Sequence, residues 1–211
     1  IVVAQIAPAV RVALGDEFDI PKGTNVMGKI VSALRRMGFD EVYDTATGAD
    51  LTVIEEAREL MAKLEKGDNK LPLFTSCCPA WVRYAEINHP ELLDNVSSCK
   101  SPMEMLGSVL KERAKLNEKG KKPKKTKVVA IMPCTAKKYE IHRDDMTYGD
   151  EPTIAHSITT VELANMIREA GLRFEEIMPE AVDMPFGIAS GAGIIFGVTG
   201  GVTEAVIRYV M

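Results

Sequence analysis

The chain has 211 residues, enough for one large domain or two modest lobes with a real core. With 46% hydrophobic and 27% charged residues it has the composition of an ordinary globular protein. A formal net charge of -4 gives no case for nucleic-acid binding, and no apolar run approaches the length needed to cross a membrane.

No signal peptide opens the chain, and the lack of a methionine at Ile1 points to a trimmed start or an excised fragment. The four cysteines, Cys77, Cys78, Cys99 and Cys134, lie 1, 21 and 35 residues apart, which is not the pattern of a disulfide scaffold. Metal or redox use in a reducing, cytoplasmic setting is the expectation.

In chain order, "IVVAQIAPAV" is a β-branched apolar run, expected as a buried strand that enters a loop at Pro8. "NVMGKIVSALRRMG" carries Val26, Ile30, Val31, Leu34 and Met37 at helical spacing and stops at Gly38. "EVYDT" is a short strand, and Asp50 is expected to cap a helix from Leu51 to about Lys66, closed by Gly67. "LPLF" is expected as the next strand, with Pro79 opening the helix "AWVRYAEI". Another helix begins near "SPMEMLGSVLKERAKL", and "NEKGKKPKKTK" breaks the pattern with Gly, Pro and dense lysine, as a solvated loop does.

"KVVAIMPC" follows as a buried strand, then helical "AKKYEIHR" and "ITTVELANMIREAG", the latter capped by Thr159 or Thr160. Gly-rich "SGAGIIFGVTGG" and the helix-like "VTEAVIRYVM" end the sequence. Alternating strands and helices without a repeat period predict an α/β fold. Two lobes are expected, each a small twisted sheet flanked by helices, with a site in the cleft between them. The first lobe would span 1–110, a Lys-rich loop 111–127, and a second, incomplete lobe 128–211.

On this reading Cys77, Cys78 and Cys134 all lie where a strand gives way to a helix, the edge at which open α/β sheets bind ligands. A helix N-terminus also lowers a thiol's pKa and favours the thiolate. On spacing alone, small buried thiols are the better reading, because no CxxC pair is present. Neighbouring cysteines do not readily bond each other, so Cys77 and Cys78 should have separate tasks.

The residues around the cysteines reverse that preference. "TSCCPAWV" and "IMPCTAKKYE" resemble the first two active-site signatures of the iron-only (diiron) hydrogenase catalytic subunit. "IAPAVR", "ADLTVIEEAREL", "HPELLDNVSSCKSP" and "SGAGIIFGVTGGVTEA" resemble that family in the same order, so the similarity covers essentially the whole chain.

The resemblance implies that Cys78 and Cys134 are thiolate ligands of a 4Fe-4S cubane bridged to a diiron subcluster, the H-cluster. Cys77 would then be the thiol that exchanges protons with the diiron centre. Glu56, Ser97 and Glu59 would relay those protons to solvent, ending at Lys63 where the family commonly has arginine. Lys137 would aim its ammonium at the anionic diiron group. Pro8, Ser101, Met132, Glu140, Phe196 and Gly197 would line or brace the pocket.

Each of these residues also has a bland reading. Glu59 and Lys63 at i, i+4 are an ordinary surface ion pair, a single lysine is usually solvated, and Met132 alone is core filler. "GAGIIFG" nearly makes a dinucleotide fingerprint, but Phe196 stands where the third glycine belongs; its glycines are expected to admit a bulky cofactor. His89, His142 and His156 lack metal spacing, and Cys99 is expected to be a buried thiol.

The implied activity is reversible reduction of protons to dihydrogen. The implied partner is an electron carrier such as ferredoxin, for which the lysine run at 119–127 offers a basic face. The family's third signature, with two further cysteines, does not occur in residues 1–211. A C-terminal segment or a partner chain is therefore expected to complete the cubane, and this polypeptide alone is expected to be inactive and to hold little or no cofactor. The alternative is a non-catalytic iron-sulfur sensor or assembly scaffold of the same fold.

Overall fold

The computed structural model describes residues 1–67, 71–117 and 125–211. Its elements run β1 (Val2–Ile6), α1 (Val10–Ala13), α2 (Met27–Arg36), β2 (Glu41–Asp44), α3 (Ala46–Glu65), α4 (Pro79–Asn88), α5 (Pro102–Asn117), β3 (Lys127–Met132), α6 (Ala136–Glu140), β4 (Thr147–Tyr148), β5 (Glu151–Pro152), β6 (His156–Thr159), α7 (Thr160–Glu169), α8 (Gly191–Ile195) and α9 (Gly201–Val210). The lysine run expected as a basic face lies largely outside the described residues.

The α/β class is as the sequence predicts. One parallel sheet, in the order β2-β1-β3-β6, forms the centre. Ala4 pairs with Val42 on one side and Val129 on the other, and Ile131 pairs with Ile158. Because all four strands are parallel, their carboxyl ends gather at one edge, at Ile6, Asp44, Met132 and Thr159. Strands buried on both faces read as continuous apolar runs, which is why "VVAQI" and "KVVAIM" could be recognised without alternation. Ile6, Leu14, Ile30, Leu34, Ile131 and Leu163 are fully buried around this sheet.

Three expectations differ. The segments 1–110 and 128–211 do not carry separate sheets, since β1 pairs with β3 across the expected 111–127 boundary. "LPLF" is not a strand; it makes a single parallel bridge, Phe74 with Val96. Pro72, inside this four-residue run, cannot donate, which leaves too few backbone donors for a ladder. Asp50 is not a cap, because α3 starts at Ala46. Its carboxylate instead accepts the backbone N–H of Ser190 at 2.7 Å, together with the Ser190 hydroxyl.

α3 packs against α5, α8 and α9. Two glycines allow the close approach. A Cβ on Gly48 would collide with the Pro102 carbonyl, and one on Gly193 with the Ala46 carbonyl and, at 2.8 Å, with Asp50 Oδ1. Gly193 therefore serves helix packing rather than the cofactor approach expected of this glycine-rich stretch. At α7 the sequence signal is fully realised: Thr159 accepts from Glu162 N while Glu162 accepts from Thr159 N, a complete capping box.

Candidate functional site

The site is built at the carboxyl edge of the sheet. β1 delivers Pro8 there, and β3 delivers the buried Met132 and, two residues on, the exposed Cys134. Gly197, after α8, comes to the same place: a Cβ built on it would lie 3.5 Å from the Pro8 Cβ. Phe196 is half-buried at the end of α8.

Cys77 and Cys78 reach this edge differently from the expected strand-to-helix turn. Phe74 N–H donates to the Asn95 carbonyl at 2.8 Å, and Ser97 N–H donates to the Phe74 carbonyl at 2.7 Å. This bridge fixes the loop before α4. Cys78 is the N-cap residue of α4 with Pro79 in its first turn, and it is exposed; Cys77 is half-buried. Lys137, on α6, then ties the two cysteine segments together. Its Nζ donates to the Cys77 carbonyl at 2.9 Å and pairs with Glu140 at 2.7 Å.

The Phe74–Val96 bridge also sets Ser97 against α3. Glu56 and Glu59, three residues apart, share a face of that helix. Ser97 Oγ donates to Glu59 Oε2 at 2.9 Å, and Lys63 Nζ lies 3.4 Å from Glu59 Oε1. Glu56 is 1% exposed, its Oε1 takes only a long 3.5 Å contact from Ser76 N–H, and its Oε2 is buried without a partner. Glu59 and Ser98 border a solvent-facing hollow of about 460 Å³. The structure thus joins Ser97, Glu59 and Lys63 by direct contacts, with the buried Glu56 one helical turn away on the same face and near enough to Cys77 for its charge to act on the thiol.

The electrostatics follow from burial. Loss of water around Glu56 pushes its carboxyl up to about 7, against the smaller opposing effects of the Ser76 and Ser97 donors. Burial, reinforced by the Glu56 charge, pushes the Cys77 thiol up to about 11. The helix N-terminus was expected to lower it; desolvation wins here, so Cys77 is a neutral S–H donor. Cys99 is pushed to about 12, first by burial and then by Glu56, Glu55 and Glu59. Cys99 is half-buried, where a buried thiol was expected.

Cys78 and Cys134, the two expected iron-sulfur ligands, are both exposed, and Ala136 N–H donates to Cys134 Sγ at 3.3 Å. Among the described residues no group of three or more His, Cys, Asp or Glu gathers to hold a metal ion. Two exposed cysteines could supply half of the four-cysteine set that a cubane takes. His142 and His156 are exposed and His89 is half-buried.

Two features were missed from sequence. A cavity of about 310 Å³ lies beside the relay, lined by Ser76, Ser97, Ser101, Glu140, Arg143 and others. Glu104, in the first turn of α5, is fully buried with neither oxygen partnered. Its place in "SPME" reads as an ordinary capping residue, so no local signal marked it.

Comparison with known proteins places this geometry. Residues 1–211 match the family described as "Iron only hydrogenase large subunit, C-terminal domain". The chain is 45% identical to iron hydrogenase 1 of Clostridium pasteurianum over 207 residues, covering 98% of this chain and 36% of that protein. It is 32% identical to the cytosolic Fe-S cluster assembly factor narfl of Xenopus tropicalis, over 99% of this chain and 45% of that one. Among solved structures, apo FeFe-hydrogenase HydA1 from Chlamydomonas reinhardtii superposes with a TM-score of 0.84 at 44% identity, covering 99% of this chain and 52% of that chain. The chain thus spans between about a third and a half of the length of these relatives.

Proposed function

Because the chain belongs to the family formed by the C-terminal domain of the iron-only hydrogenase large subunit, we propose that it is the part of a hydrogenase that grips one side of the H-cluster and feeds it protons. Cys78 and Cys134 would hold the cubane as thiolates, and the other two thiolates would come from a C-terminal segment or a partner chain. When bound, the cluster supplies the electron path and the metal centre at which protons and dihydrogen interconvert. A ferredoxin-like carrier would exchange the electrons, in the cytoplasm.

The observation that supports this reading is the contact chain Ser97, Glu59, Lys63 beside the buried Glu56, which we read as a proton path that begins at Cys77. A group that hands on a proton must keep it until it is needed and then recover it. Cys77, with its thiol pushed up to about 11, keeps its proton at neutral pH. Glu56, pushed up to about 7, can take and release one there, which is the match between pKa and working pH that proton transfer requires. The Ser97 hydroxyl, already donating to Glu59 at 2.9 Å, can accept on its other side as it donates. Lys137 would hold the Cys77 backbone in place and present positive charge to the anionic group; Ser101, Met132, Pro8, Phe196 and Gly197 would wall the pocket, and Glu140 would fix Lys137.

The test is turnover in the parent protein matured with its cluster. Glu56→Gln and Glu59→Ala should each lower hydrogen turnover by a hundredfold or more, on the order of what positioned acid–base groups contribute, while iron content stays unchanged. Full turnover in both would remove the relay.

A second reading is favoured by one finding, the 32% identity to a cluster assembly factor along nearly the whole chain. An assembly protein needs the thiolates but has no use for a buried, neutral-pH carboxyl behind a protonated thiol. Normal cluster delivery by a Glu56→Gln parent protein that never turned over hydrogen would favour this second role.

A further inference from the structure

The motif S/T-x-x-E occurs twice at helix starts, and the two copies behave differently. At α7, Thr159 and Glu162 exchange hydrogen bonds and complete the cap. At α5, "SPME" places Ser101 and Glu104 in the equivalent positions, yet Ser101 Oγ and both Glu104 carboxyl oxygens are buried with no hydrogen-bond partner. Glu104 is 0% exposed and Ser101 1%. A buried carboxyl left unpaired is costly, and a cap would have been the simple way to satisfy it. Instead Ser101 lines the 310 Å³ cavity beside the relay, on the same wall as Glu140.

We propose that Glu104, buried and unpartnered beside the Ser101 cavity, is a second proton-holding carboxyl of this site, a positioning residue whose protonation sets the charge near Lys137.

The groups facing it define the chemistry. Glu140 and Lys137 approach from α6, Lys100 from the segment before α5, and the Thr153 hydroxyl from the residue after β5. Thr153 Oγ1 is itself buried and unpartnered, so its closeness to Glu104 tempers the burial without forming a well-aligned hydrogen bond. Glu140 is engaged by Lys137 at 2.7 Å, whereas neither Glu104 oxygen has a partner. A neighbouring carboxylate in a dry site favours the protonated form of a carboxyl that lacks a cation. Burial first, then the Glu140 charge, raise Glu104 to about 7. On ionisation the proton leaves toward the Ser101 hydroxyl and the cavity, and the new charge competes with Glu140 for Lys137. A neutral Glu104 leaves Lys137 wholly to Glu140 and the Cys77 carbonyl. This inference concerns the folded chain and does not depend on the proposed reaction.

The experiment is an infrared pH titration of the protein carrying isotope-labelled glutamate. Two buried protonated carboxyls are expected near neutrality, from Glu56 and Glu104. Glu104→Gln, which keeps size and hydrogen-bonding capacity, should remove one and leave the other. Glu140→Gln should shift the Glu104 midpoint to lower pH, a response that a merely structural Glu104 would not give. If Glu104→Gln does not fold, the native protein decides the matter by itself, since it must show two such groups. A single protonated carboxyl in the native protein, or a Glu104 midpoint indifferent to Glu140→Gln, would overturn the proposal.

Discussion

Lys137 Nζ sits 2.9 Å from the backbone carbonyl of Cys77, joining two signatures that are 60 residues apart in the chain. The lysine lies at 12% side-chain exposure and its partner Glu140 at 3%, so this is a nearly dry ion pair rather than a surface one. Breaking such a pair strands a charge. Lys137→Met should therefore destabilise the fold by about 3–5 kcal/mol. Adding Glu140→Gln should recover part of that loss, because the stranded carboxylate is then gone. Urea unfolding of the two single variants and the double variant measures both effects, and additive losses would contradict a coupled pair.

Glu56 should make stability fall with rising pH. Its carboxyl titrates near 4.5 when unfolded and near 7 in the folded chain. Between those values the folded state binds more protons than the unfolded one, so the contribution is full below 4.5 and is lost as pH rises through 7. The difference amounts to at most about 3 kcal/mol. Glu56→Gln should flatten the corresponding share of the slope between pH 5 and 8, leaving the share of Glu104. An unchanged slope would show that Glu56 is solvated in solution.

The thiols should separate by reactivity. At pH 8, Cys77 and Cys99, with thiols near 11 and 12, carry little thiolate and should alkylate about two and about three orders of magnitude more slowly, respectively, than an unperturbed cysteine. The exposed Cys78 and Cys134 should label first. Mass spectrometry of partially alkylated protein reads the order directly. Cys77 labelling ahead of Cys78 would mean that the loop before α4 opens in solution.

Much of this site was legible in the sequence, for physical reasons that differ by residue. Helical spacing placed Glu56 and Glu59 on one face, and Pro79 marked the start of α4, because both signals are local. Parallel strands buried on both faces announced themselves as the apolar runs at Val2–Ile6 and Lys127–Met132. "LPLF" imitated such a run but is held by one bridge, since Pro72 cannot donate to a ladder. The expected separate sheet on each side of 111–127 missed a pairing, β1 with β3, that spans more than a hundred residues and leaves no local trace. Asp50 looked like a cap and proved to be an anchor for Ser190, a contact between residues 140 apart. Cys77 was expected to be acidified by a helix end; only tertiary burial beside Glu56 shows why it keeps its proton. Glu104 was invisible for the same reason, as its motif is that of a solvent-facing cap.

The division of labour between Cys77 and Cys78 is the centre of this account, and paired measurement of bound iron and hydrogen turnover in the matured parent protein tests it most directly. Cys77→Ser should keep its iron and lose most of its turnover, since the proton donor goes while Cys78 and Cys134 remain. Cys78→Ser and Cys134→Ser should lose the iron itself. Equal iron loss in all three variants, or full turnover in Cys77→Ser, would contradict it.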